Sequence, residues 1–194
     1  FAIDDELLRP YFQLERVVAG VFKTAKKLFG ITFHQRTDID LYHGDVQTYE
    51  VQDEDGNHLA VFYADFFPRA GKRQGAWMTS FRSQKQTSHG DQRPHVSIVC
   101  NFTKPTESKP SLLTLNEVTT LFHEFGHALH GMLATGTYAS LSGTSVFWDF
   151  VELPSQLMEN WCYEKDCLDL FAKHYETGEA IPKEYIQKIK DSAN

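Results

Sequence analysis

The sequence predicts an α+β fold, predominantly helical, with a small antiparallel sheet beside a pair of helices. Three observations predict it: apolar residues follow a helical period near both ends, short β-type segments lie between them, and a capped helix follows the strands. Because strands and helices occupy separate parts of the chain, this order favours α+β. The 194 residues suit one domain or a piece of a larger one.

The first helix is predicted over residues 7–29. Pro10 fits its first turn, where the missing backbone N–H has no helical partner to lose, and Gly30 is placed to end it. The apolar positions recur at helical spacing: Phe12, Leu14, Val17, Val18, Val21 and Phe22.

Strands are predicted where apolar and polar residues alternate or β-branched residues cluster: 31–34, 46–51, 59–67 and 95–102. The turn at 53–57 joins the second and third of them as an antiparallel hairpin. Two polar segments, 68–75 and 82–93, are predicted to be loops.

The next helix begins with a capping box, in which Thr114 is the N-cap and Glu117 lies three residues on. Apolar residues then recur at helical spacing: Val118, Leu121, Phe122, Phe125, Leu129 and Met132. Gly126 lies inside this helix, where glycine costs about 1 kcal/mol relative to alanine. We therefore expect another backbone to pack closely there. Further helices are predicted over these ranges: 147–163, 168–175 and 182–194.

The capped helix carries His123, Glu124 and His127, the His-Glu-x-x-His pattern of zinc hydrolases. Residues four apart lie on one helix face, about 6 Å apart along the axis, so both imidazoles can bind one ion. Glu124 is placed to reach a water on that ion without binding the ion itself. The alternative is a buried helix that carries histidines by chance, and the complete motif on a capped helix argues against it.

A catalytic zinc usually takes three protein ligands. His130 is a poor third ligand, because it lies about 10 Å from His123 along the helix axis; packing or indirect support is its expected role. Acidic residues downstream share one helical face: Asp149, Glu152 and Glu159. The residues alone favour Glu152 through its short connection to the capped helix, but Asp149 and Glu159 stay open.

Composition limits the partners. The chain has 19 Lys and Arg against 26 Asp and Glu, a net charge of −7, which argues against nucleic acid and anionic membrane surfaces. No apolar run reaches the roughly 20 residues of a membrane span. Three cysteines without a Cys-x-x-Cys pair argue against a disulfide framework and favour a reducing compartment.

Several segments together form a recognisable pattern. The capped helix reads His-Glu-Phe-Gly-His-Ala-Leu-His, and Leu-Ser-Gly-Thr and Asp-Phe-Val-Glu-Leu-Pro-Ser-Gln follow it. Further segments of the pattern lie upstream: 11–17, 41–46, 62–67 and 75–78. The chain thereby resembles the thimet oligopeptidase family of zinc peptidases, which includes neurolysin, oligopeptidase A and bacterial peptidyl-dipeptidase (dipeptidyl carboxypeptidase). The pattern covers nearly the whole chain and is nearest to the last of these branches.

The resemblance implies a mostly helical peptidase with a small sheet beside its active site. It implies one Zn²⁺ per chain, bound by His123, His127 and Glu152, with Glu124 as the catalytic base. The implied reaction is hydrolysis of oligopeptides, with release of C-terminal dipeptides. With the bacterial branch as the nearest resemblance, we expect a monomeric protein of the bacterial cytoplasm. The alternatives are an endo-acting oligopeptidase of the same family, another zinc hydrolase such as an aminopeptidase, and a non-catalytic peptide-binding module.

The chain begins at Phe1 without a Met and ends within a predicted helix. Together with the resemblance, this leads us to expect that 1–194 is a fragment, the zinc-binding core of a catalytic domain whose C-terminal part is absent.

For the substrate, we expect β-addition at a strand edge beside the zinc helix. The candidate edge is 95–101, with 75–78 nearby. The expected substrate contacts are Gly75, Ala76, Trp77 and Asn101.

Overall fold

A computed structural model describes residues 4–192 of the chain. Its helices are α1 (Asp5–Leu8), α2 (Leu14–Phe29), α3 (Leu115–Met132), α4 (Trp148–Val151), α5 (Leu153–Glu159), α6 (Lys165–Phe171) and α7 (Lys183–Ser192). Its strands are β1 (Thr32–Arg36), β2 (Gln47–Gln52), β3 (His58–Asp65), β4 (Trp77–Arg82), β5 (Lys85–Thr87), β6 (Gly90–Gln92) and β7 (His95–Val99). Short 3₁₀ turns lie at Arg9–Tyr11, Ala139–Leu141 and Asn160–Tyr163.

Five strands form one mixed sheet in the order β1-β2-β3-β7-β4. The predicted hairpin of β2 and β3 is confirmed, but β7 runs parallel to β3, so the prediction of an antiparallel sheet is wrong at that pairing. After β3 the chain crosses to the far edge, forms β4, and returns between the two as β7. Helices hold about 40% of the residues and strands 21%, so helices and a small sheet are both present but "predominantly helical" is not confirmed.

The edge strand β4 and the small hairpin β5–β6 have no clear sequence signature. Their side chains are half-buried or exposed, so no apolar alternation marks them. The predicted loop 82–93 therefore contains two short strands. In contrast, β7 is buried along most of its length and hydrogen-bonds to a neighbour on each side.

One apolar core joins α2 and α3 to the same face of the sheet. The Phe125 ring of α3 lies 6.0 Å from that of Phe22, 5.6 Å from Phe33 and 5.7 Å from Phe62, measured between centroids. These rings come from α2, β1 and β3, so α3 is packed from several sides. The apolar stripe predicted for this helix is buried as expected.

At both ends of α3, side chains hydrogen-bond to backbone groups. At its start, Thr114 Oγ1 accepts the N–H of Glu117, and Glu117 Oε2 accepts the N–H of Thr114, which confirms the predicted capping box. At its end, the Arg93 guanidinium donates to Met132 O at 2.7 Å and Ala134 O at 3.0 Å. Since Arg93 lies two residues before β7, these hydrogen bonds also connect the helix to the sheet.

The predicted helix 7–29 is interrupted. Its first part is α1 and a 3₁₀ turn, and α2 begins only at Leu14. At the break, Phe12 O accepts the N–H of Leu113 at 2.8 Å and Leu14 N–H donates to Ser111 O at 2.9 Å. Hydrogen bonds to a distant segment therefore replace helical ones. Gly30 ends α2 with φ of 71°, as expected of a C-cap glycine.

The predicted helix 147–163 is also divided, into α4, α5 and a 3₁₀ turn. Pro154 lies in the first turn of α5, and a proline there cannot donate the N–H that would continue α4. Glu152 is the residue at the junction.

The last two predicted helices are shifted or outside the described part. The helix predicted over 168–175 is found as α6, three residues earlier, and Lys173 forms a β-bridge with Ala180 instead. The helix predicted over 182–194 is found as α7, with residues 193–194 outside the described range. Within residues 4–192, none of the helices combines the length and the apolar character that crossing a membrane requires.

Gly126 marks the closest approach of α3 to α5. A Cβ at this position would lie 2.5 Å from Pro154 O and 2.6 Å from Ser155 Cα, both backbone atoms. This confirms the expected close packing of another backbone. The contact brings the junction residue Glu152 against the α3 face that carries His123 and His127.

We predict that Gly126→Ala destabilises the protein by about 1–3 kcal/mol, because the added methyl must push two backbones apart, although alanine favours a helix by about 1 kcal/mol. The matched control is Gly131→Ala on the same helix, whose Cβ would first meet the mobile end of Met78 at 2.8 Å. Urea unfolding of both variants measures the difference. Equal stability of the two variants would show that the helices yield freely at Gly126.

Candidate metal centre

Helix α3 places His123 and His127 one turn apart on a face that opens to a cleft. Their rings are nearly perpendicular, with centroids 5.0 Å apart. The cleft has a volume of about 410 Å³ and is lined by these residues together with Ala76, Trp77, Met78, Glu124, Thr144, Val151 and Glu152. The β4 edge thus forms the wall that faces the two histidines.

Glu152 completes a group of three ligand atoms. Its Oε2 lies 3.2 Å from His123 Nε2 and 3.1 Å from His127 Nε2, and the three atoms lie within 4.8 Å of one another. Tetrahedral zinc with bonds near 2.0–2.1 Å separates its ligand atoms by about 3.3 Å. The spacing and the N, N, O donor set therefore fit a zinc ion.

Two hydrogen bonds orient these ligands. Glu159 Oε1 lies 2.5 Å from His123 Nδ1, so its carboxylate can accept that ring's N–H and leave Nε2 free toward the cleft. Ser155 Oγ donates to Glu152 Oε2 at 2.7 Å. This bond is the main cause of the lowered pKa of Glu152, which favours the ionised form.

Of the three acidic residues left open by the sequence, the structure brings Glu152 to both histidine nitrogens and Glu159 to the far side of one ring. Asp149 does not belong to the group.

Glu124 lies in the cleft but outside the ligand group. Its side chain is buried, and burial raises its pKa to about 7; the neighbouring Glu152 adds to the rise, while His123 opposes it. Its Oε2 has no hydrogen-bond partner among residues 4–192. A buried carboxylate oxygen without a partner, beside a group that fits a metal, is suited to hold a water or a proton.

The rings of His127 and His130 lie in different environments. Burial lowers the pKa of His127, so the neutral ring that a metal requires is favoured. His130 lies outside the ligand group and packs against Phe150, with ring centroids 6.1 Å apart. It faces a separate, largely apolar cavity of about 460 Å³.

Only two of the four expected substrate contacts line the cleft. Ala76 and Trp77 line the cleft, whereas Gly75 and Asn101 are not among its lining residues. Asn101 Nδ2 donates to Arg73 O at 3.0 Å and to Gly75 O at 2.7 Å. Asn101 therefore holds the backbone that leads into the cleft wall.

Sequence reasoning gave Ser155 and Thr144 no role in the site, and it placed Met78 only within the candidate segment 75–78. Ser155 is three residues after Glu152, a spacing that a helix brings together, so its hydrogen bond to Glu152 could have been predicted from the sequence. Thr144 reaches the cleft only through tertiary packing, and no local spacing predicts it.

Comparison with known proteins agrees over the whole chain. A sequence model of peptidase family M3 matches residues 1–194. Oligopeptidase A of Escherichia coli (strain K12) is 46% identical over 196 residues, which cover 100% of this chain and 29% of that protein. Dipeptidyl carboxypeptidase of the same strain is 46% identical over 194 residues, covering 100% and 28%. Organellar oligopeptidase A of Arabidopsis thaliana is 46% identical over 196 residues, covering 97% and 25%.

The chain spans less than a third of the length of these relatives. The oligopeptidases and the dipeptidyl carboxypeptidase match it equally well, so identity does not separate the two kinds. Since the family match covers every residue, the chain belongs to peptidase family M3.

Proposed function

We propose that the protein is a zinc peptidase that hydrolyses oligopeptides. The observation that carries the proposal is the convergence of His123 Nε2, His127 Nε2 and Glu152 Oε2 beside the buried carboxylate of Glu124. Membership of a peptidase family supports it. The relatives' names, oligopeptidase A and dipeptidyl carboxypeptidase, indicate peptides as the substrate class.

One Zn²⁺ per chain would be held by His123, His127 and Glu152. When bound, zinc supplies a Lewis acid that polarises the scissile carbonyl and lowers the pKa of a bound water toward about 7. Glu159 holds the His123 ring in place, and Ser155 holds the Glu152 carboxylate.

Glu124 acts as the general base and then the general acid. Its carboxylate takes a proton from the attacking water and passes it to the leaving amine as the peptide bond breaks. Its burial raises its pKa and so helps it to retain the proton between the two steps, and its Oε2, which has no partner within residues 4–192, provides a position for that proton.

The substrate backbone pairs with β4. The sequence-based candidate edge, 95–101, largely coincides with β7, which is paired on both sides and has no free edge. Its neighbour β4 is the outer strand of the sheet, and Ala76, Trp77 and Met78 at its start line the cleft. An extended peptide added there lies along the side of the ligand group.

For specificity, we propose release of C-terminal dipeptides, with internal cleavage by an endo-acting oligopeptidase as the alternative. Product analysis on an N-terminally blocked peptide distinguishes them by whether dipeptides or internal fragments appear first. Uncleaved peptide that still binds would instead indicate a non-catalytic binding module.

We further propose a monomer that works in the bacterial cytoplasm. The three cysteines are buried and unpaired, which suits a reducing compartment. A relative from Arabidopsis thaliana is named a probable cytosolic oligopeptidase A, and the relatives from Escherichia coli are bacterial.

We predict that Glu152→Gln retains less than about a tenth of stoichiometric zinc after dialysis, because the amide supplies no charge to the site. Glu159→Gln is the matched control: it should keep zinc with an affinity lowered by about 10–100-fold. Metal analysis and titration with a chelator measure both. The ligand assignment is wrong if Glu159→Gln loses the metal and Glu152→Gln keeps it.

We predict that Glu124→Gln keeps one zinc per chain but lowers kcat by at least about 10²–10⁴, because the amide cannot accept a proton. Peptide hydrolysis, measured beside metal content and thermal stability, tests this. Turnover near that of the unmodified protein would assign the base to another group.

A further inference from the structure

Lys72 is a buried lysine with an unusually complete set of partners. Its side chain is 2% exposed. Nζ donates to Asp65 Oδ1 at 2.9 Å, Phe67 O at 2.7 Å and Cys100 O at 2.5 Å, and lies 3.2 Å from Asp65 O. An ammonium group has three donors, so these acceptors use all of them.

Through these acceptors, Lys72 connects the ends of two adjacent parallel strands. Asp65 ends β3, and Cys100 directly follows β7. Burying an ammonium ion is costly unless its charge is paired and its donors are satisfied. The chain meets both conditions here, which indicates that this lysine holds a particular backbone arrangement.

Asp65 is the compensating charge. It also accepts two bonds from Arg69, at 2.8 and 2.9 Å, and one from Tyr42 at 3.0 Å. Burial by itself would raise its pKa, but the bonds from Arg69, Lys72 and Tyr42 lower it, so the carboxylate stays ionised.

The loop that contains Lys72 leads directly into the cleft wall. Residues 66–76 connect β3 to β4, and Ala76 and Trp77 line the cleft. Asn101 Nδ2 holds the same loop through Arg73 O and Gly75 O. The Arg73 guanidinium lies 4.4 Å from the centre of the Trp77 ring, which it can hold by a cation–π contact.

We propose that Lys72 is a positioning residue for the substrate, because its tether sets where the edge strand β4 begins beside the ligand group. Lys72 does not line the cleft, so it acts through the backbone of 73–78. The inference rests on the proposed peptidase function and adds to it a residue that governs peptide binding.

The tether, meaning the hydrogen bonds from Lys72 to Asp65, Phe67 O and Cys100 O, affects peptide binding and leaves the hydrolysis step unchanged. The ligand group and Glu124 belong to α3 and the α4–α5 junction, which are held by their own contacts at Gly126. Loss of the tether should loosen β4 while the three ligand atoms keep their places. A strand edge that is no longer held forms fewer backbone hydrogen bonds with a peptide, so KM rises while kcat changes little.

The test compares Lys72→Met, which keeps the length of the side chain without donors, with Arg69→Gln. The control removes another cation from the same carboxylate but leaves the bond to Cys100 O. In the intact protein we expect Lys72→Met to raise KM for an oligopeptide by about tenfold, with kcat within about twofold. Zinc content should stay at one, and amide hydrogen exchange should speed up across 70–78 but not in α3. Arg69→Gln should change neither KM nor exchange in 76–78.

A second variant covers the case in which Lys72→Met does not fold. Asn101→Ala removes the other hold on the loop from a position outside the core, and should raise KM and local exchange in the same way. An unchanged KM in either folded variant overturns the inference. Faster exchange throughout the protein also overturns it, even if KM rises, because the effect would then not be confined to the β4 edge. If the unmodified, zinc-loaded protein cleaves no peptide, the proposed function fails first, and this is seen before any variant is made.

Discussion

The contact between α3 and α5 at Gly126 is the constraint on which the rest of the site depends. Backbone atoms of Pro154 and Ser155 lie where any side chain at Gly126 would be. At this separation Glu152 Oε2 lies 3.2 Å and 3.1 Å from the Nε2 atoms of His123 and His127. The packing of the two helix backbones therefore determines where the side chains of the site lie.

Buried polar groups divide into two kinds. Arg93 and Lys72 are satisfied by carbonyls and a carboxylate, and both connect segments that are distant in sequence. Glu124 is buried with one oxygen unpartnered within the described residues, and its pKa is raised as a result. The first kind stabilises the frame, whereas the second is the carboxylate to which the proposed function assigns proton transfer.

Local patterns could be predicted where one helix or hairpin carries them. The α3 capping box, the Gly30 cap and the β2–β3 hairpin depend on neighbours a few residues away, and all three are present. Errors occurred where distant segments compete: residues 12–14 leave the helix to bond with 111–113, and β7 enters between β3 and β4. Hydrogen bonds to a remote partner cannot be read from periodicity.

The sequence by itself determined the spacing of His123, Glu124 and His127, the helix that carries them, and the family. These are local properties, since the rise and turn of one helix place the three side chains. Only the tertiary structure showed how near Glu152 Oε2 comes to the two histidine nitrogens, which strand has a free edge, and that Asn101 hydrogen-bonds to the backbone leading into the cleft wall. Each of those depends on the approach of segments far apart in the chain, and packing rather than spacing determines that approach.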